Sequence, residues 1–473
     1  MVDRLTADDQ LVLWSDDTWP QDIGALMFLD GSRLLDADGQ LRIQAVREGL
    51  ERRLHLLPRL GQVLYLPRRG LGRPLWLDAP AFNIDEHIHV MAVPAPADDQ
   101  QVLDTVARLR RRRLPLSRPL WEMWFLTGLT GGRAGLFIRL HHVMGDGMAS
   151  VTSLAALLDT APEAGTGMPA REWTPSRWPS TAALLADNLR HVGHELARVL
   201  VAITHPVRTV RGAVNAWPTF QGLLAAEPGP STSLNRLLGP DRRLNLIRTR
   251  LDPVHQAAHA NGATVNDVLL TVIAGGLRGL LNSRGELVDG MSVPVYVPMS
   301  LRAPSPNARE HRAGNFISQI AVPVPLADID PASRLRQIVG ETTRRKAMPH
   351  IALGAMFGNR LISGIIIKFV AGRRVNVLSA DLPGPREPMY FCGARILEVF
   401  PLLNLIGNVS LGVGAMSYAG GFCMLVVSDA DAYPDLDVFT DSARRDLEAL
   451  IGPPSTMGAR AARPTLAEMG ESK

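Results

Sequence analysis

Cysteine is almost missing from this chain. Its 473 residues include two, Cys392 and Cys423, too few for a disulfide framework or a four-thiolate metal site, and their scarcity suits a reducing compartment. Long apolar runs are missing as well. The greasiest windows, ELARVLVAI near position 200 and LISGIIIKFVAG from Leu361, are too short or too interrupted by charge to span a bilayer as a helix. The opening MVDRLTADDQLVLW places three aspartates before any apolar run, which is not the basic-then-apolar order of a signal peptide. The expectation is a cytoplasmic chain that touches membranes only peripherally. A one-signed charge excess is absent too. With 50 Lys and Arg against 46 Asp and Glu the net charge is +4, so the pI of about 9.4 reflects a small surplus on a large surface. Nucleic acid is therefore not an expected partner. Glycine and proline, 42 and 35 residues, fall short of a low-complexity or collagen-like composition.

What is present is core material. The apolar set makes up 46% of the chain, and at roughly 150 residues per domain the length suits about three units or two large ones. Residues 1–160 mix short extended runs (VLYLPRRG, PLWLD) with helical periods, one from Ala45 and one over DDQQVLDTVARLRRRRLP, which begins with acids and ends with arginines. GGRAGLFIRLHHV follows as a strand and ASVTSLAALLDTA as a helix. Residues 161–235 open with a Pro, Gly and Thr-rich patch and continue as a long helix, LLADNLRHVGHELARVLVAI, the pattern of an interdomain connector. Residues 236–473 restart as strand, helix, helix, strand, with later strands at NFISQIAVPVP, VNVLSADLPG, ILEVFPLL and GFCMLVVSDA. The fold class is α/β (α+β), two halves of similar texture that suit two packed domains with a site between them.

The sharpest local feature is HHVMGDG, His141 to Gly147. Consecutive residues on a strand point to opposite faces, so only one of His141 and His142 readily looks into a given cleft. A neutral imidazole, with an ordinary pKa near about 6.5, can take a proton from a hydroxyl at cellular pH. Gly145 and Gly147 permit a tight turn that brings Asp146 back beneath the strand end. Read alone, the same residues also fit a satisfied strand end, or a metal site that lacks the helical register of known His zinc motifs. Asn266 and Asp267, at the start of an apolar helix, fit an N-cap. The basic runs Arg108 to Arg113, Arg242 with Arg243, and Arg344 with Arg345 fit phosphate binding or a solvated helix face. His87 and His89, an HxH on one strand face, read as scaffold.

HHVMGDG resembles the HHxxxDG motif of the bacterial wax ester synthase/diacylglycerol acyltransferase family. Other stretches match in the family's order: LPRL near Leu57, FNIDEH around Asp85, SRPLWEMWFLTGL with Pro119, Leu120 and Trp121, GPDRR at Gly239, TVNDVLL with Asn266 and Asp267, VPMSLR with Ser300 and Arg302, AGNFIS with Gly314 and Asn315, and LPGP at Leu382 to Pro385. The ordered set covers nearly the whole chain. It implies the chloramphenicol acetyltransferase and condensation-domain architecture, two similar domains around a central substrate tunnel. It implies His142 as general base, with His141, Asp146 and Gly147 completing the catalytic motif. Pro119, Leu120, Trp121, Asn266, Asp267, Ser300, Arg302, Gly314 and Asn315 are then expected around the substrates, with Arg302 a candidate partner for Asp146.

The implied reaction is acyl transfer from acyl-CoA, a co-substrate, to diacylglycerol or a long-chain alcohol, with no permanently bound cofactor or metal, beside a membrane or lipid droplet. No covalent acyl-enzyme is needed, so the missing G-x-S-x-G elbow is no obstacle. IALGAMFGNRLISGIIIKFVAGRR could line an acyl channel, press against lipid, or form a core helix. Two departures stand out: Ser379, Ala380 and Asp381 precede LPGP where the family more often carries asparagine, and LWSDDTWPQD only loosely fits the family's usual start. The competing readings are a non-catalytic lipid-binding or scaffold member of the fold, and a glycerol-phosphate-type acyltransferase, since His141 to Asp146 also spells HxxxxD.

Overall fold

The computed structural model describes residues 3–145, 154–163, 174–204, 230–300, 317–347 and 377–452. In chain order the helices are α1 (Ala7–Asp16), α2 (Ile43–Leu54), α3 (Asp99–Arg110), α4 (Thr181–Thr204), α5 (Leu251–Ala260), α6 (Val265–Ser283), α7 (Pro331–Lys346) and α8 (Leu436–Ile451). The strands are β1 (Asp22–Asp30), β2 (Gln62–Tyr65), β3 (Leu75–Asp78), β4 (Ile88–Ala92), β5 (Trp121–Thr127), β6 (Arg133–His141), β7 (Arg242–Arg250), β8 (Ser292–Ser300), β9 (Ile317–Pro325), β10 (Val377–Pro383), β11 (Tyr390–Phe391), β12 (Ala394–Leu402), β13 (Leu411–Tyr418) and β14 (Gly421–Asp429). One sheet runs β11, β12, β1, β6, β5, β4; another runs β7, β14, β13, β10, β8, β9; β2 and β3 pair separately. The result is two sheet-rich α/β domains.

Alternation along the central strands explains how the sheets join. On β14, Phe422, Met424 and Val426 pack under α6 and α8, while Cys423, Leu425 and Val427 turn the other way. There they meet Leu26 and Phe28 of β1, Phe137 of β6 and Phe400 of β12, in a cluster that also takes Val102 and Val106 of α3. A strand buried on both faces reads as a continuous apolar run, which is what GFCMLVVSDA is. On β1 the alternate residues Met27 and Leu29 face a third cluster with α2.

Two glycines set close approaches. A Cβ on Gly276 of α6 would lie 2.6 Å from the Phe439 ring of α8, so the helices pack backbone against ring. On β13, a Cβ on Gly414 would meet the carbonyl oxygen of Pro401 at 2.5 Å. β13 is the strand that composition hides, because glycine weakens the strand signal where another backbone comes near.

Several expectations meet a different arrangement. The strand expected to carry both histidines ends at His141, and His142 opens a 3₁₀ turn, His142–Met144. The sequence boundary at 236 does not keep all later strands in the second sheet: β11 and β12 cross back, and β12 pairs antiparallel with the open edge of β1. The connector's long helix is α4, as its period indicates. Of ASVTSLAALLDTA, expected as a helix, residues 149–153 lie outside the described residues; Leu154 and Ala155 are helical, and the chain then turns so that Asp159 bridges to Tyr390. IALGAMFGNRLISGIIIKFVAGRR lies outside them entirely.

Candidate active site

β6 brings the histidine pair to the end of the first sheet beside β1, where Asp22 pairs with His141. The two rings do different work. His141 is buried, and its Nδ1 accepts the backbone N–H of Val143 at 3.2 Å, capping the 3₁₀ turn that His142 begins. The Nε2 of His141 faces Asp16 Oδ1 at 3.5 Å. Burial works to raise the Asp16 carboxyl, but the contact with His141, the Gln21 N–H and the Arg113 charge outweigh it and hold it below the ordinary value. The same Oδ1 accepts the Gln21 N–H at 2.7 Å, tying the end of α1 to the start of β1.

His142 is half-buried, and its backbone N–H donates to Gln21 O at 2.8 Å. Gln21 is itself held by Asn404, whose Nδ2 donates to Gln21 Oε1 at 2.7 Å across the two halves of the chain. Beyond His142 the turn is anchored on both sides. Val143 is buried with Leu5, Leu13 and Leu120, and Met144 packs on the cluster that Leu382, Met416 and Tyr418 border from the second sheet. His142 therefore stands where the domains meet, on a turn fixed by side chains from both.

The PLW stretch braces this turn from behind. Leu120 O accepts the His141 N–H at 2.9 Å, Trp121 pairs with Leu140, and Trp121 Nε1 donates to Leu60 O at 2.8 Å. Pro119, Leu120 and Trp121 are all buried. Below them Glu122 and Arg139 form a buried pair at 2.8 Å. Burial pushes the Glu122 carboxyl up, but Arg139 and the Trp124 N–H more than offset it and leave it lowered. His87 is scaffold, as read from sequence: its ring stacks on Trp121 at 4.4 Å and its Nδ1 bonds Trp121 O at 2.8 Å. His89 lies against Trp124 at 4.3 Å.

In the second domain the N-cap of α6 is Thr264, and Asp267 is the third helical residue of a capping box. Asp267 Oδ2 accepts from the Thr264 N–H and hydroxyl, while Oδ1 accepts the Thr342 hydroxyl of α7 at 2.8 Å. The carboxylate thus locks two helices, and Asn266 sits half-buried beside it. Ser300 ends β8 opposite Ile317. Asp146, Gly147, Arg302, Gly314 and Asn315 lie outside the described residues, so the Asp146–Arg302 pairing does too. Burial pushes the Asp381 carboxyl on β10 up to about 6. Ser379, on the same face, is buried with no hydrogen-bond partner for its Oγ.

Sequence reasoning missed Asp16, Gln21 and Asn404. Asp16 and Gln21 fall in LWSDDTWPQD, the stretch that only loosely fits the family start, and nothing local distinguishes them from surface polar residues.

Comparison with known proteins supplies the wider context. The sequence model of the wax ester synthase/diacylglycerol acyltransferase catalytic domain matches residues 5–269, and that of the WS/DGAT C-terminal domain matches residues 313–451. A putative diacylglycerol O-acyltransferase of Mycobacterium tuberculosis is 30% identical over 407 residues, covering 82% of this chain and 84% of its own. The structure of a wax ester synthase/diacylglycerol acyltransferase from Marinobacter aquaeolei VT8 superposes with a TM-score of 0.66 at 20% identity, covering 94% of this chain and 98% of that one. A starter condensation domain of rhizomide synthetase, solved with C8-CoA and Leu-SNAC, shares the fold at a TM-score of 0.58 and 14% identity, covering 95% and 94%. With its histidine turn seated between two such domains, this chain belongs to the wax ester synthase/diacylglycerol acyltransferase family.

Proposed function

We propose that this chain moves a long-chain acyl group from acyl-CoA to the hydroxyl of diacylglycerol, or of a fatty alcohol, with His142 as the general base. The observation that carries the reading is the division of labour in the pair: His141 holds the turn through Nδ1, and the turn presents His142 at the junction of the sheets. His142 takes the proton of the acceptor hydroxyl as its oxygen attacks the thioester carbonyl. The tetrahedral oxyanion collapses, the carbon–sulfur bond breaks, and the coenzyme leaves as its thiol after the proton passes to sulfur. Both substrates meet in a tunnel between the domains, with Asn266 beside it, while the buried PLW segment and Asp267 hold its framework from behind. No tightly held cofactor takes part.

The chain works in the cytoplasm, at the inner membrane face or a lipid droplet, where a water-insoluble acceptor is found. Among the described residues no single helix is long and apolar enough to cross a membrane. α4 supports a peripheral contact: Leu185, Leu189, Val192 and Leu196, at helical spacing, are 43–61% exposed, an apolar stripe of the kind that lies in a lipid interface.

The test is acyl transfer by purified protein with labelled acyl-CoA and a panel of diacylglycerols and alcohols, repeated with His142→Ala. Triacylglycerol or wax ester from the native chain alone supports the reading. Equal product from the variant, or none from either, refutes it. Floating each protein on anionic vesicles, with Leu189→Glu/Leu196→Glu as the comparison, tests the membrane contact separately.

A further inference from the structure

The three arginine groups of the sequence have different fates. Arg344 and Arg345 both bind Glu341 of their own helix. Arg243 donates to Pro434 O at 2.5 Å on the surface. Arg110, Arg111, Arg113 and Arg242, in contrast, surround one cavity of about 320 Å³ between the end of α3 and the start of β7, with Trp19 on its wall. Two halves of the chain thus contribute to one basic hollow.

Its electrostatics are incompletely balanced. Asp22 takes Arg110 at 3.1 Å, Asp241 takes Arg111, Asp429 approaches Arg242 at 3.4 Å, and Arg113 donates to the Asp17 carbonyl. Asp16, on which Arg113 bears, brings a fourth carboxylate to the four guanidiniums, so the imbalance is local and not a net surplus. Arg110 Nη1 is buried without an acceptor. Arg242 is held below its ordinary value, first by burial and then by the like charge of Arg110, despite the nearby carboxylates. An anion in the hollow would relieve that repulsion.

The hollow also adjoins the catalytic turn. Asp22, which binds Arg110, is the strand partner of His141, and Arg113 bears on Asp16, which faces His141. An indole beside several guanidiniums is the chemistry that takes a nucleotide, the ring stacking on a base and the planar cations gripping phosphate oxygens.

We propose that this cavity holds the phosphorylated nucleotide end of the acyl donor, with Arg111, Arg113 and Arg242 on its phosphates and Trp19 against its base. The assignment rests on the acyl-CoA reading above and adds the residues that grip the coenzyme. It accounts for a donor that keeps its polar end at the rim while its thioester reaches His142.

The test measures binding first, by titration calorimetry of the full chain with coenzyme A, with adenosine 3′,5′-bisphosphate, and with inorganic pyrophosphate. Arg111 and Arg113 are exposed, so Arg111→Ala/Arg113→Ala is expected to fold, which a thermal melt checks. It should weaken coenzyme A and the bisphosphate about tenfold or more, as loss of charge-assisted contacts does. Arg344→Ala/Arg345→Ala should leave both affinities as they are. Tryptophan 19 replaced by alanine (Trp19→Ala) should weaken the bisphosphate and not pyrophosphate. In turnover, the preference for acyl-CoA over acyl-pantetheine, as a ratio of kcat/KM, should fall by a similar factor in the Arg111/Arg113 variant. Unchanged coenzyme affinity in that variant overturns the assignment, as does pyrophosphate binding as tightly as the nucleotide. Binding here without any acyl transfer would sink the reaction and keep the site; transfer with an indifferent cavity would do the reverse.

Discussion

His141 Nδ1 accepts the Val143 N–H at 3.2 Å, so the first histidine caps the turn that carries the second. His142→Ala is expected to lower acyl transfer by about 10²- to 10⁴-fold, the worth of a positioned base, with stability changed by no more than about 0.5 kcal/mol. His141→Ala removes a turn cap and should cost about 1 kcal/mol of stability as well as activity. His141→Asn, which keeps an acceptor near that position, should recover part of the stability. Denaturant melts beside rate measurements separate the two residues, and equal stability losses in the two alanine variants would contradict the division of labour.

Glu122 and Arg139 form the buried pair beneath the histidine strand. Glu122→Ala leaves a buried guanidinium uncompensated and should destabilise the fold by about 3–5 kcal/mol. The Glu122 carboxyl is lowered in the folded state, so its contribution is present above the unfolded value and is lost as the pH falls through the folded one. Native protein should accordingly weaken in acid below about pH 4.5. The paired apolar variant Glu122→Leu/Arg139→Met should show a flatter acid limb in urea melts taken across that range.

Asp381 is shifted in the opposite direction. Burial lifts its carboxyl from 3.8 to about 6, so folding is favoured while it is protonated, and that advantage disappears as the pH rises through 6. Asp381→Asn, which carries the amide more usual in the family at this stretch, should be more stable than the native chain at pH 7.5 by up to roughly 3 kcal/mol. The difference should vanish near pH 4. A gap that does not depend on pH would show that ionisation is not its source.

Gly276 faces the Phe439 ring closely enough that an added Cβ would sit 2.6 Å away. Although alanine is the better helix former, Gly276→Ala should destabilise the protein by about 1–3 kcal/mol through overpacking. Gly276→Ala/Phe439→Leu should restore part of the loss. A stabilised single variant in a thermal melt would mean that α8 can move aside.

The sequence by itself determined the order and kind of most elements, the unequal histidines and the family's motif order. Those signals are local: the unbroken apolar run in GFCMLVVSDA, period 3.6 in α6, and turn glycines in HHVMGDG each act within a few residues of chain. Tertiary structure alone decided which polar residues meet. Asp16 reaches His141 over more than a hundred residues of chain, Asn404 reaches Gln21 over 383, and Arg242 joins the arginines at the end of α3 around one cavity. It also decided that β12 returns to β1, since an open strand edge accepts any backbone of suitable register. Aspartates and arginines are common surface residues with no periodic signature, and their partners are set by how the sheets close on each other.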